Sequence, residues 1–191
     1  AKQAAWLPQV REIAWGLSVR DLVGLGRLPF GPIQKNDRHV EAAIIKMELT
    51  AFPDRIATQL SGGEQARALI ARALAQDTPI LMADEPTASL DPANQINTLK
   101  IFSELAQTGR GIIASIHDLG LAARYCTKLA LLDRGKLVAF GSADAVLTPD
   151  NLRTVFSIEA YYEKTKQGVI FQPLSVLKKS NKNFDQGDTL K

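Results

Sequence analysis

Apolar positions along the chain fall into two patterns. Between Asp37 and Leu49, Val40, Ile44 and Met47 recur at helical spacing, and Pro53 ends that unit. Upstream, Ser18-Val19-Arg20-Asp21 has the spacing of a capping box, with a serine that can cap and an acid three residues later. Gly24, Gly26, Pro29, Gly31 and Pro32 then mark a turn-rich stretch. Residues 10–58 therefore read as mostly helical. Further on, the short apolar runs at 80–83, 112–116 and 129–132 alternate with helical patterns at 62–76, 92–107 and 119–125. Runs of this kind suit strands buried on both faces of a parallel sheet, and the alternation predicts an α/β fold. A turn at Asp133-Arg134-Gly135 leads into a further strand at 137–140. Short helical pieces follow at 143–147 and 149–156, and no repeats occur. The polar stretch 178–191 is expected to be disordered.

Composition narrows the picture. A length of 191 residues fits one domain with at most a small second lobe. The net charge of +3, from 23 basic and 20 acidic side chains with no run of Lys or Arg, argues against a nucleic-acid partner. Cys126, the one cysteine, rules out an internal disulfide framework and suits a reducing compartment or a buried apolar position. No stretch approaches the roughly 18–20 apolar residues that span a bilayer. The start, Ala1 to Trp6, lacks both a signal-peptide pattern and an initiating Met, so Ala1 need not be the natural first residue.

Candidate chemistry begins at Leu60-Ser61-Gly62-Gly63-Glu64. Ser61 can cap a helix, two glycines let an anion approach the backbone, and the helix behind has Ala66, Leu69, Ile70, Ala73 and Leu74 on one face. Free N–H groups and the positive end of the helix dipole favour a phosphate there. An ordinary capped helix would look the same. The run Ile80-Leu81-Met82-Ala83-Asp84-Glu85 is an apolar strand ending in two carboxylates. Side chains alternate along a strand, so one acid can face a metal while the other polarises a water. The competing reading is a solvated acidic loop. Asp91 precedes Pro92 and could be a plain N-cap. His117 follows the apolar run 112–116 and can reach the same sheet edge as Asp84 and Glu85, unless it is a structural histidine.

Taken in order, these segments resemble the ATP-binding cassette (ABC) ATPases. Residues 60–64 are similar to the signature motif, 80–84 to the Walker B strand with Glu85 as the carboxylate that follows it, Ser89-Leu90-Asp91 to the D-loop, His117 to the switch histidine, and Gln9 to the Q-loop glutamine. The resemblance implies ATP and Mg²⁺ held between two such subunits arranged head to tail. Asp84 would help hold Mg²⁺ and Gln9 would sense the metal and the γ-phosphate. Glu85 would polarise the attacking water and His117 would contact the γ-phosphate. Ser61, Gly62 and Gly63 would close on ATP held by the partner, with Glu64 and Asp91 also in the nucleotide site. Ala66 departs from the family, in which Gln is common at that position.

The family's Gly-x-x-x-x-Gly-Lys-[Ser/Thr] loop does not occur in the sequence. By the resemblance, the chain is a partial P-loop NTPase core with a parallel sheet plus a helical signature subdomain. A single incomplete domain is expected over 1–191, with the helical subdomain at about 10–76 and the C-terminal part of the α/β core at about 77–160. As given it would be inactive alone. The segment Leu17 to Phe30, with Gly26-Arg27-Leu28-Pro29 in it, is similar to the same stretch in bacterial importers of iron-siderophore, haem and cobalamin. This implies an ATPase that drives such import, bound to membrane permease subunits at the cytoplasmic face of the bacterial inner membrane. The alternatives are a catalytically incompetent half-site acting as an interaction module, and an ABC ATPase that drives no transport.

Overall fold

Fourteen residues that begin with two glycines form the helix around which the first part of the molecule is organised. The computed structural model of the protein describes residues 2–9, 12–13, 15–34, 36–166 and 168–177. The expectation for 178–191 lies outside the described residues. The chain divides into two compact units, Ala1–Leu121 and Ala122–Lys191.

In the first unit, strands β1 (Ala4–Leu7), β2 (Ile80–Asp84) and β3 (Gly111–Ser115) form a parallel sheet in that order. Register aligns Ala5 with Leu81 and Ile112, and Leu7 with Ala83 and Ala114. Ala5, Leu7, Leu81 and Ala83 are buried. Helices α1 (Val19–Gly24) and α2 (Arg38–Lys46) pack on α3 (Gly62–Ala75), which also packs on β1. Helix α4 (Pro92–Gln107) connects β2 to β3 and packs on β3.

The buried part of α3 is wider than the single expected stripe. Beside Ala66, Leu69, Ile70, Ala73 and Leu74, the alanines Ala68, Ala71 and Ala75 are buried as well. The helix is covered from several sides, and alanine lets neighbours approach without a side chain to order. A 3-10 turn at Leu25–Phe30 makes one such approach, because a Cβ built on Gly26 would stand 2.2 Å from the Arg72 carbonyl oxygen. That neighbour is helix backbone and cannot swing away. Gly26→Ala is therefore expected to destabilise the protein by about 1–3 kcal/mol. Urea denaturation measures this, and an unchanged midpoint would show that the turn can move off α3.

Two expectations are corrected. First, the strands of the parallel sheet are buried on one face, not both. Trp6, Met82 and Ile113 share the opposite face in register and are 54%, 38% and 60% exposed. Among the described residues nothing packs over them closely enough to shield them. Secondly, the run at 129–132 does not join the parallel sheet. It forms β4 (Leu129–Asp133), paired antiparallel with β5 (Lys136–Gly141) in the second unit. Arg134 and Gly135 both have positive φ, 47° and 75°, as a two-residue hairpin turn requires.

The second unit continues through α6 (Ala143–Val146), α7 (Pro149–Asn151) and a π-helical turn at Leu152–Phe156. Helix α5 (Leu119–Tyr125) crosses the division between the units. The antiparallel pair β6 (Ile158–Thr165) and β7 (Gly168–Val176) is not among the predicted elements. Tyr162 Oη donates to Asp144 Oδ1 at 2.6 Å and Lys164 pairs with the same carboxylate, tying β6 to α6. Partial burial, then the Asp144 carboxylate, pushes the Tyr162 phenol up to about 12.

Candidate functional site

A parallel sheet delivers the C-terminal ends of its strands to one edge, and in open α/β sheets ligands bind outside that edge. Here the edge collects Gln9, two residues beyond β1, Asp84 and Glu85 at the end of β2, and Ser115 and His117 at the end of β3. Gln9 is exposed.

The β2 and β3 ends are joined by hydrogen bonds. Ser115 lies opposite Asp84 in the register. Its Oγ donates to Asp84 Oδ1 at 2.5 Å and accepts from the Glu85 backbone N–H at 2.9 Å. Glu85 follows with φ of 46°, a left-handed conformation that is uncommon without a specific reason in a residue other than glycine. The turn places Glu85 Oε1 2.6 Å from His117 Nε2. With the carboxylate as acceptor, His117 Nε2 is the donor of this contact. The Glu85 side chain is 22% exposed, while the His117 side chain is 85% exposed. The carboxylate is thus held at the base and the imidazole stands out in solvent. Asp118 accepts from the Leu121 N–H and so starts α5.

The second group lies at the N-terminus of α3. Ser61 and Glu64 form a reciprocal capping box. Ser61 Oγ accepts from the Glu64 N–H at 3.4 Å, and Glu64 Oε2 accepts from the Ser61 N–H at 2.8 Å. The Ser61 N–H foremost, and then the Ser61 hydroxyl, which donates to Glu64 Oε2 at 2.8 Å, hold the Glu64 carboxyl below its ordinary range. The glycines have no packing role in the structure. A Cβ at Gly62 would meet nothing within 4 Å, and one at Gly63 would reach only the Ser89 carbonyl, at 3.9 Å. Their backbone is open to an incoming group at a helix N-terminus, where anions are favoured.

Asp91 behaves as a helix cap. Its Oδ1 accepts from the Asn94 N–H at 2.9 Å and its Oδ2 from the Asn94 side-chain amide at 2.6 Å, with Pro92 in the first turn. Those bonds lower its carboxyl from the usual value. Ser89, just before it, has φ of 65°. The structure therefore brings Asp84, Glu85 and His117 into one bonded cluster, places Gln9 on the same edge, and sets Gly63 beside the Ser89 turn. Ser115 is not among the residues the sequence singles out. The signal was its place as the one polar residue inside the apolar run 112–116, two before His117.

Residues 1–88 match the sequence profile of the ABC transporter family. A cobalamin import ATP-binding protein, BtuD of Halobacterium salinarum, is 42% identical over 161 residues, covering 82% of this chain and 40% of that protein. A hemin import ATP-binding protein, HmuV of Pseudomonas aeruginosa, is 37% identical over 170 residues, covering 86% of this chain and 67% of that protein. The chain thus spans from two fifths to two thirds of the length of these curated relatives. Among solved structures, an inward-facing ABC transporter described as of metal-chelate type superposes with a TM-score of 0.76 at 27% identity, over 92% of this chain and 73% of that one. The fold is accordingly that of the ABC ATPases, within the P-loop NTPases. Since the likeness to the Pseudomonas protein extends over two thirds of its length, the chain belongs to the ABC transporter family.

Proposed function

We propose that this chain is part of the ATP-binding subunit of an importer, which hydrolyses ATP to drive uptake of an iron chelate, haem or cobalamin. The observation that carries the reading is the Glu85–His117 pair held at the sheet edge beside Asp84. The similarity to hemin and cobalamin import ATP-binding proteins supports the cargo class.

Phosphoryl transfer needs positioning and charge stabilisation more than covalent chemistry. Glu85 is placed to accept hydrogen bonding from an attacking water, with its own carboxylate steadied by His117. His117, exposed and joined to Glu85, is placed to donate to a phosphoryl oxygen. Gln9 stands on the same edge to sense the bound nucleotide. Among the described residues no group of three or more His, Cys, Asp or Glu side chains could hold a metal by itself. Mg²⁺ binds through one or two carboxylates together with water and substrate phosphates, and Asp84 offers one such carboxylate at the end of β2. Asp84 is the residue that would hold it, and the ion would supply charge neutralisation on the phosphates.

The open α3 N-terminus is the surface for the second ATP of the assembly. Ser61, Gly62 and Gly63 would meet nucleotide carried by a second copy arranged head to tail, with Glu64 fixing the cap and Asp91 fixing the neighbouring turn. The stretch at about 10–76 then serves as the helical subdomain and about 77–160 as part of the α/β core. No helix among the described residues is long and apolar enough to cross a membrane. Membrane permease subunits are the further partners in this reading, and the subunit lies peripherally at the cytoplasmic face of the inner membrane.

Reconstitution of the complete transporter in vesicles tests the reading. ATP hydrolysis with uptake of labelled haem, cobalamin or ferric siderophore is the expected result. Hydrolysis without uptake of any of the three would overturn the cargo class. Absence of Mg²⁺-dependent hydrolysis would overturn the ATPase assignment.

A further inference from the structure

Resting on that reading of the sheet edge, we propose that Ser115 is a positioning residue for both carboxylates of the site, setting the Asp84 side chain for the metal and the Glu85 backbone for the attacking water.

A serine hydroxyl has one donor and two acceptor positions. Ser115 spends its proton on Asp84 Oδ1 and accepts the Glu85 N–H. The first bond fixes the rotation of the Asp84 carboxylate and leaves Oδ2 outside the contact with Ser115. The second bond satisfies the backbone amide of the residue whose φ is 46°. One hydroxyl thus determines where one carboxylate points and where the chain carries the next, toward His117. Ser115 itself sits at a rigid place, the last residue of β3, one strand away from the acids it orients.

Partners that orient a metal's ligands carry a measurable share of metal affinity. Their loss commonly costs about 10–100-fold in affinity or activity. The variants that isolate the hydroxyl are Ser115→Thr and Ser115→Val. Both are β-branched and suited to a strand, so they differ in the hydroxyl and not in fold compatibility. The experiment is Mn²⁺ binding to the complete subunit with a non-hydrolysable ATP analogue, followed by electron paramagnetic resonance. Affinity for the analogue without metal is measured alongside.

Ser115→Val is expected to weaken Mn²⁺ by about tenfold or more with metal-free nucleotide affinity unchanged. Ser115→Thr is expected to restore Mn²⁺ affinity. Turnover at saturating metal should fall in the valine variant and recover in the threonine variant. A valine variant that binds Mn²⁺ as tightly as the wild type would overturn the role of Ser115 while leaving the ATPase reading intact. A wild type that shows no nucleotide-dependent Mn²⁺ binding would overturn the ATPase reading, and this inference with it.

Discussion

Glu85→Gln is expected to lower kcat for ATP hydrolysis by about 10²–10⁴-fold, the range removed with a positioned general base. The amide has the size of the carboxylate and retains an oxygen to accept from His117, so the cluster geometry survives. Only the ability to accept a proton from an attacking water is lost. Nucleotide binding should persist, because no part of the proposed grip on the phosphates passes through Glu85. In kinetic terms, kcat and kcat/KM fall together while the affinity for ATP holds, the mark of an interaction made in the transition state. Steady-state turnover beside equilibrium binding of ATP checks this. An unchanged kcat would remove Glu85 from the chemistry.

Gly62→Asp should separate folding from function at the other group. A Cβ at this position meets nothing within 4 Å, so the new side chain leaves the backbone into open space. An acid in the first turn of α3 interacts favourably with the helix dipole, by about 0.3–1 kcal/mol. Replacing a helical glycine also removes backbone freedom from the unfolded chain. The variant is therefore expected to be as stable as the wild type or slightly more so. Yet the acid stands where the reading places a partner's γ-phosphate, and it repels that charge. ATP-driven association of two subunits should be lost, with binding of ATP to each subunit retained. Sedimentation with a non-hydrolysable ATP analogue reads the association. Normal association by this variant would mean that the α3 N-terminus does not face nucleotide.

Much of this architecture was legible because the signals are local. The α3 boundary follows from Ser61 and Glu64 capping each other, and α4 begins at Asp91-Pro92, as predicted. Strands β2 and β3 lie within a residue of the apolar runs that announced them. The losses have physical causes. Strand β1 is four residues long, Ala-Ala-Trp-Leu, too short for a period to show. The β6–β7 ribbon alternates weakly, because a two-stranded ribbon leaves apolar positions such as Leu174 and Val176 exposed. For the run at 129–132, apolarity announced a strand but not its partner. The decisive information was the conformation of Arg134 and Gly135. Among the site residues, Asp84, Glu85 and His117 could be named from their order along the chain. Ser115 could not, since its role depends on a register between strands that sequence order does not display.

The bond from Ser115 to Asp84 also has a history within each molecule. Its two residues are 31 positions apart and are brought together by the passage from β2 through α4 to β3. A β-α-β crossover of this kind must close before its parallel strands can pair, which places such contacts among the slower ones to form. A nascent chain that has released Asp84 and Glu85 but not β3 carries both acids with nothing to aim them. The arrangement of Asp84, Ser115 and Glu85 therefore arrives only when the crossover docks. Loosening α4, which packs on β3, would reach the acids by the same route, through the register of β3.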